Sequence, residues 1–265
     1  MEKIELIRPI VRVGNSAGVV LPREWINGEA RIILVRKPNN LKSLERDVFL
    51  FLSKYLSEIK GLYLVGSYAR GEQTIESDVD ILAVTNSTNL EIDRGKYKII
   101  LISQERLEEQ LKENILPWLA MIVEAKAILN KELVEKYKKT ELNQKNLKFH
   151  FETTLSSLQL IKKMIDMAEK DKEMLSENLA YPLILRLREA YIVECLMKCK
   201  RFNNKELRKI IKKIYGSIEI YDSYRKTKEA KSTKKIIDLK GAKRVFDYVK
   251  EKIEQYFGNL KQRKV

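Results

Sequence analysis

Two cysteines and a single histidine leave this chain of 265 residues poor in the side chains that build zinc sites and disulfide frameworks. Cys195 and Cys199 lie one helical turn apart, and two small core-facing residues explain this spacing better than a metal or redox pair does. Ten glycines and five prolines are also few, which excludes collagen-like and low-complexity chains. The sequence therefore predicts a globular protein.

Long hydrophobic runs are absent as well. Every apolar run is far shorter than the roughly 20 residues that a membrane-spanning helix needs, and no signal-peptide pattern precedes them. The chain is 44% hydrophobic and 34% charged, enough to build a core under a solvated surface. We expect a soluble, cytoplasmic protein that makes no contact with a membrane.

The formal net charge of +15 is unevenly distributed. Residues 198–265 contain 22 Lys and Arg against 8 Asp and Glu, whereas residues 1–197 are nearly balanced, with 30 against 29. Such a basic block attracts DNA or RNA, or it forms a solvated helical surface that keeps the protein soluble. Both interpretations stay open on the sequence alone.

Hydrophobic periodicity divides the chain into three zones. Residues 1–40 are predicted to form strands and one short helical turn, residues 41–139 alternate helix and strand, and residues 140–265 are helical. This order predicts an α+β multidomain fold with an N-terminal β element, a central α/β domain and a C-terminal α-helical bundle. The finer predictions are strands at 7–13, 30–35, 62–65, 81–84 and 96–102, a turn at 14–18, a helical turn at 23–26, and helices at 44–59, 104–116 and 117–129.

Two acids, Asp78 and Asp80, stand at the head of an apolar strand. Side chains alternate across a strand, so these carboxylates point the same way, and they repel each other unless a cation lies between them. Mg²⁺ suits the pair, because it binds one or two carboxylates together with phosphate oxygens. Gly66 and Ser67 complement it, since a small residue at a helix start lets a phosphate approach the backbone.

The joint pattern of "GSYARG" and "SDVDILAV" resembles the DNA polymerase β-like nucleotidyltransferases, particularly the minimal nucleotidyltransferases. The resemblance is specific because it combines a glycine–serine turn, a short spacer and an S-D-x-D strand. The matching residues are Gly66, Ser67, Ala69, Arg70, Gly71, Ser77, Asp78 and Asp80.

The resemblance implies a reaction and a set of roles. Asp78 and Asp80 would be the catalytic residues and would bind Mg²⁺ or Mn²⁺. The nucleoside triphosphate, expected to be ATP, would be held by Gly66 and Ser67 through its β- and γ-phosphates. A hydroxyl of a protein or nucleic-acid acceptor would attack the α-phosphate and expel pyrophosphate. Arg70 and Ser77 are further candidates for nucleotide binding, although Arg70 could equally pair with a nearby acid.

The sequence departs from the family at one position. Active members carry a third acid on the neighbouring strand, here residues 96–103, and the preferred alignment places Lys98 there. Lys98 would then neutralise the two acids without metal or contact the triphosphate, while Asp93 and Glu105 flank the strand. The alternative to a nucleotidyltransferase is therefore a weakly active nucleotide-binding protein that acts as a DNA-binding regulator or antitoxin.

A second resemblance lies in "VGNSAGVVLPREW", residues 13–25, which is similar to the AbrB/MazE family of swapped-hairpin DNA-binding domains. In that family two chains interleave hairpins, which implies a homodimer. The implied DNA contacts are Arg8, Arg12, Asn15, Ser16 and Arg23. An element that serves dimerisation only is the alternative.

The C-terminal zone resembles the HEPN helical bundles that accompany minimal nucleotidyltransferases in toxin–antitoxin systems. Active HEPN nucleases require an arginine that is separated from a following histidine by four to six residues. The only histidine, His150, has no arginine within that reach before it. We therefore expect no ribonuclease activity, and we predict that His150 is a helix-start or packing residue.

Overall fold

The computed structural model describes residues 6–33, 41–74, 77–171, 175, 177–228 and 237–262. These residues form two compact units, one within residues 1–48 and the other within residues 49–265. Among the described residues, no helix combines the length and the apolar character needed to cross a bilayer.

The first unit contains an antiparallel hairpin of β1 (Ile10–Val13) and β2 (Ser16–Val19). Its two-residue turn begins at Gly14, whose positive φ of 57° is the backbone conformation that such hairpin turns require. A single 3-10 turn, Arg23–Trp25, follows Pro22 as predicted. The predicted strand at 30–35 is not present over residues 30–33, and its last two residues lie outside the described residues.

The rest of the chain alternates helices and strands and then becomes helical, which confirms the predicted α+β organisation. The remaining strands are β3 (Ile59–Val65), β4 (Val79–Thr85), β5 (Leu90–Arg94), β6 (Tyr97–Ser103) and β7 (Lys126–Leu129). The helices are α1 (Leu41–Phe51), α2 (Gly66–Arg70), α3 (Gln104–Glu113), α4 (Ile115–Glu124), α5 (Lys131–Lys138), α6 (Gln144–Asp171), α7 (Ala180–Met197), α8 (Asn204–Tyr215), α9 (Glu219–Lys228) and α10 (Leu239–Gln262).

Strands β3 to β7 form one sheet in the order β5-β6-β4-β3-β7. Strands β4 and β6 are parallel, and the other neighbours are antiparallel. The register places Asp80 beside Lys98 and Lys98 beside Asp93. Residues paired across neighbouring strands share a face, so these three side chains form a row on one face of the sheet.

Three predicted helices end earlier than expected, and one of them, predicted at 104–116, stops at Glu113. The helix predicted at 44–59 stops at Phe51, and a 3-10 helix at Ser53–Glu58 leads into β3. The helix predicted at 117–129 stops at Glu124, because the apolar residues that follow form β7 and pair with β3 at the sheet edge. A short apolar run fits either helix or strand, and only the pairing partner decides between them.

One face of the sheet and the C-terminal helices share a hydrophobic core. The sheet contributes alternate residues, including Tyr63, Val65, Leu82 and Val84, and the core continues through α6 and α7 to α10. Asp80 precedes Leu82 on this same face, so the acid-bearing end of the sheet faces the helical side. The prediction for the cysteines is half wrong: Cys195 is buried, but Cys199 is exposed where α7 ends.

Candidate nucleotide-binding site

The two predicted acids lie at the start of β4. Asp80 is the second residue of the strand, and Asp78 lies immediately before the first residue of the strand. Asp80 pairs with Val65, the last residue of β3, so its carboxylate lies beside the start of α2. Both acids are half-buried.

Gly66 allows the Asp80 carboxylate to lie directly against the backbone. A Cβ atom at this position would be 2.2 Å from Asp80 Oδ2, and Gly66 also has a positive φ of 69°. Any other residue would clash with the carboxylate and strain the turn. The end of β3, the start of β4 and α2 thus meet as the glycine–serine motif predicts. Gly71, in the left-handed conformation, ends α2.

Lys98 contacts one of the two acids, Asp78. Its Nζ is 2.9 Å from Asp78 Oδ2. The hydrogen bond from Lys98 to Asp78 and the charge of Asp78 raise the pKa of Lys98, and Asp93 and Asp80 add to this effect. The ammonium therefore stays charged at neutral pH. The pair is half exposed, with 52% and 43% of the two side chains accessible, so water screens it in part.

Among the residues that the structure describes, no third carboxylate joins the pair. In the described part of the chain, no three His, Cys, Asp or Glu side chains converge on a point that could hold a metal ion. Asp93 lies beyond Lys98 in the row, and Glu105 is in the first turn of α3. Two carboxylates fit one Mg²⁺ that is also bound by phosphate oxygens, but they do not fit the two-metal arrangement.

Glu124, the last residue of α4, is a site residue that the sequence analysis did not predict. It contacts both ends of α2. The backbone N–H of Gly66 donates to Glu124 Oε1 at 2.7 Å, and Arg70 Nη1 donates to Glu124 Oε2 at 2.6 Å. Arg70 Nε also donates to Glu72 Oε2 at 2.8 Å. Arg70 therefore pairs with nearby acids, the alternative left open for it, and the Gly66 amide has a protein carboxylate as its acceptor.

Burial shapes the electrostatics of this ion pair. The Arg70 and Glu124 side chains are 11% and 8% exposed. Burial raises the pKa of Glu124, while the charge and hydrogen bond of Arg70 and the Gly66 amide lower it again. The only sequence signal for Glu124 was an isolated acid in the apolar run "PWLAMIVEAKAIL".

The two serines occupy different positions. Ser67 lies in the first turn of α2, next to Gly66. Ser77 Oγ accepts from the backbone N–H of Thr74 at 2.8 Å, so Ser77 shapes the approach to Asp78. Of the predicted nucleotide-binding residues, the structure brings Gly66, Ser67 and Lys98 close to the acids through strand pairing and the α2 turn.

A cleft of about 220 Å³ lies beside Arg70, between α4 and α7. Its charged lining comprises Arg70, Glu124, Arg188 and Glu189, and Phe202 forms part of its wall. The guanidinium carbons of Arg70 and Arg188 lie 5.2 and 5.3 Å from the centre of the Phe202 ring. Contacts of this kind are cation–π interactions.

His150 is a packing residue, as predicted. It lies in α6, is 4% exposed, and its Nδ1 is 3.7 Å from Glu189 Oε2. Burial lowers the pKa of His150 to about 4, and the nearby charge of Arg186 contributes. The ring is therefore neutral at pH 7.

All five candidates for DNA contact are exposed on the first unit. Arg12 Nε donates to the carbonyl oxygen of Gly14 at 2.9 Å and so braces the hairpin turn. Asn15 lies in that turn, and Ser16 begins β2. Arg8 precedes β1, and Arg23 begins the 3-10 turn.

Comparison with known proteins agrees with this geometry. Residues 46–173 match the family described as the nucleotidyltransferase domain. A protein of Methanocaldococcus jannaschii named "Putative protein adenylyltransferase MJ0604" is 50% identical over 46 residues. That match covers 17% of this chain and 46% of the relative, less than half of its length.

Two solved structures are similar over most of the chain. A nucleotidyltransferase-like protein from Exiguobacterium sibiricum is 12% identical, with 82% of this chain and 75% of that chain covered and a TM-score of 0.37. The spectinomycin adenyltransferase AAD(9) from Enterococcus faecialis, solved with ATP and spectinomycin, is 13% identical, with coverages of 81% and 100% and a TM-score of 0.40. Similarity at this level transfers no property to this chain.

Proposed function

We propose that this protein binds a nucleoside triphosphate, ATP in the first instance, and transfers its nucleotidyl group to an acceptor hydroxyl. The observation that carries the proposal is the placement of Asp80 against Gly66, next to Asp78 and the start of α2. This arrangement brings carboxylates and a small-residue turn together where β3 ends and β4 begins, within the residues that match the nucleotidyltransferase domain family. The domain supports nucleotidyl transfer in general, and the acceptor is part of the proposal.

Each residue has a defined part in this proposal. Asp78 and Asp80 would hold one Mg²⁺ or Mn²⁺, which, when bound, offsets the negative charge of the triphosphate. Ser67 would donate its hydroxyl to a phosphate oxygen. Arg70 and Glu124 fix the first turn of α2 in place and so position Gly66 and Ser67. We expect slow transfer, because the Lys98 ammonium already neutralises part of the carboxylate charge.

Incubation with each α-labelled NTP, with Mg²⁺ or Mn²⁺ and with protein and oligonucleotide acceptors tests the proposal. We expect label on an acceptor with the wild type, and a loss of about 100-fold or more in Asp80→Asn, because the variant lacks a carboxylate for the cation. Asp166→Asn, on the exposed face of α6, is the matched control and should transfer normally. Equal transfer by Asp80→Asn and the control would contradict the proposal.

A second candidate function is a DNA-binding regulator or antitoxin that only binds nucleotide. The contact between Lys98 and Asp78 favours it, because it satisfies one carboxylate without metal. The basic residues exposed around the hairpin of the first unit supply the DNA contacts in this candidate. Calorimetry and the transfer assay together distinguish the two functions. NTP binding in calorimetry without label on any acceptor supports the regulator.

The first unit also supports the proposal of a homodimer. Ten large hydrophobic residues between positions 6 and 33 are exposed, many more than a unit this small normally leaves in water. They are Leu6, Ile7, Ile10, Val11, Val13, Val20, Leu21, Ile26, Ile32 and Ile33. A second copy of the same unit would bury them by strand exchange or pairing.

Deleting residues 1–38 should convert the dimer into a monomer, because it removes this apolar surface and leaves α1 and the sheet intact. Light scattering should report one chain instead of two. Ile10→Lys/Val13→Lys keeps the full chain and should weaken the dimer in the same direction, since both side chains are exposed on β1. A dimer that survives the deletion would place the interface elsewhere.

A further inference from the structure

Helix α8 carries a basic face with almost no acid to balance it. Residues 198–213 contain eight Lys and Arg and one acid, Glu206. We name the exposed cations on α8 the α8 basic face. Its members are Lys205, Arg208, Lys209, Lys212 and Lys213.

One member of this face is paired. Lys209 Nζ lies 2.9 Å from Glu206 Oε1. Within the described ranges of the chain, no acid lies within 4.0 Å of the other four cations. The helix has 12 residues and is about 18 Å long, so its cations can contact several consecutive phosphates of one strand. A row of cations along such a length suits a polymer with regularly repeated negative charge.

The α8 basic face begins beside the candidate site. The backbone N–H of Asn204, the first residue of α8, donates to Glu72 Oε1 at 3.1 Å, and Glu72 also accepts from Arg70. Arg70 in turn pairs with Glu124, the acceptor of the Gly66 amide. An unbroken series of contacts thus joins the start of α8 to the turn that touches Asp80.

Aromatic rings lie next to these cations. Phe202, just before α8, is contacted by the guanidinium groups of Arg70 and Arg188. The Arg208 guanidinium carbon lies 5.7 Å from the centre of the Tyr221 ring. Both rings are only partly buried. Cations that follow a backbone, combined with aromatic rings on which bases stack, are the features with which proteins bind single-stranded nucleic acid.

We propose that the α8 basic face binds single-stranded nucleic acid and leads its end toward the turn at Gly66 and the acids beside it, so that the acceptor hydroxyl belongs to a nucleic acid. The part of this inference that concerns transfer rests on the proposed function, whereas the binding surface does not. Acidic protein surfaces fit less well, because they carry no flat bases to stack on a partly exposed ring such as Tyr221.

Fluorescence anisotropy with labelled 15-nucleotide RNA and DNA of one sequence tests the surface on the full chain. We expect Lys205→Glu/Lys212→Glu/Lys213→Glu to lower affinity by about tenfold or more at 150 mM salt, and to flatten the salt dependence, because phosphate contacts are lost. The matched control, Lys162→Glu/Lys163→Glu/Lys170→Glu, reverses three exposed cations on α6. It should change affinity by less than about twofold, because screening limits long-range effects at this salt concentration. All six positions are exposed, so both variants should fold.

The outcomes separate this inference from the proposed function. The inference is overturned if the wild type binds neither oligonucleotide, if both triple variants lose affinity equally, or if charge reversal on α8 affects only a protein acceptor. Binding that depends on α8 without any nucleotidyl transfer would refute the proposed function and leave the interface standing. Comparison of the RNA and DNA affinities identifies the preferred sugar.

Discussion

Lys98→Asp is expected to raise the affinity of the site for Mn²⁺ by about 100-fold, because the change removes one positive charge and adds one negative charge beside a divalent cation. In the wild type, Lys98 Nζ lies 2.9 Å from Asp78 Oδ2. Mn²⁺ must therefore compete with the ammonium for this carboxylate. In the variant, the introduced carboxylate would lie beside Asp80 in the strand register. Calorimetry with Mn²⁺ alone, without nucleotide, measures the change directly.

Two further variants sharpen this experiment. Lys98→Ala removes the ammonium without adding a ligand and should give about a tenfold increase, between the wild type and Lys98→Asp. Lys126→Asp makes the same change of charge on β7, where Lys126 pairs with Leu64 and belongs to the opposite face of the sheet. It should leave Mn²⁺ affinity unchanged. Equal Mn²⁺ affinity in Lys98→Asp and Lys126→Asp would show that the ammonium does not restrain metal binding.

The rate of nucleotidyl transfer and the NTP affinity are further measurements on the same variants. If the ammonium holds the site in a weakly active state, Lys98→Asp should transfer faster than the wild type. If Lys98 instead contacts the triphosphate, Lys98→Asp should lower NTP affinity through repulsion between like charges. Robust transfer by the wild type that is abolished in Lys98→Ala would make Lys98 a working residue and exclude the weakly active interpretation.

The predictable part of the site is the part built from neighbouring strands. The turn at Gly66 and the side of the strand on which Asp80 lies follow from alternation and glycine chemistry over a short stretch. The position of Lys98 follows from the register of two parallel strands, and the structure confirms it with Asp80 beside Lys98. In each case the contact follows from strand geometry, either side-chain alternation or the register of neighbouring strands.

The unpredicted part depends on contacts between distant positions. Glu124 bonds to Gly66 across 58 positions, and Glu72 bonds to the start of α8 across 132. Neither contact leaves a periodic signal in the sequence. The same cause explains β7, whose apolar residues continue a helical pattern until β3 supplies a strand partner. Which partner an isolated acid or a short apolar run meets is decided by tertiary packing.

Arg70→Met is expected to reduce the free energy of unfolding by about 3–5 kcal/mol, the usual cost of leaving one member of a buried ion pair without its partner. Glu124 is 8% exposed, and without Arg70 it would keep the Gly66 amide as its hydrogen-bond donor but lose the opposing charge. Arg70→Met/Glu124→Gln should recover most of the loss, because the glutamine is uncharged and its oxygen still accepts from Gly66. Lys148→Met, which removes an exposed partner of Glu152, is the control and should cost less than about 1 kcal/mol.

The loss in Arg70→Met should also depend on pH. Burial already raises the pKa of Glu124 above its ordinary value of 4.5, and removing Arg70 should raise it further. A raised pKa in the folded state favours folding below the pKa of the unfolded carboxyl, and this advantage is lost as pH rises through the folded-state pKa. Urea unfolding should therefore show a larger deficit for Arg70→Met at pH 8 than at pH 5. A deficit below about 1 kcal/mol, or one independent of pH, would show that Arg70 does not balance a buried carboxylate. A variant that kept its stability and lost only NTP affinity would instead assign Arg70 to the phosphates.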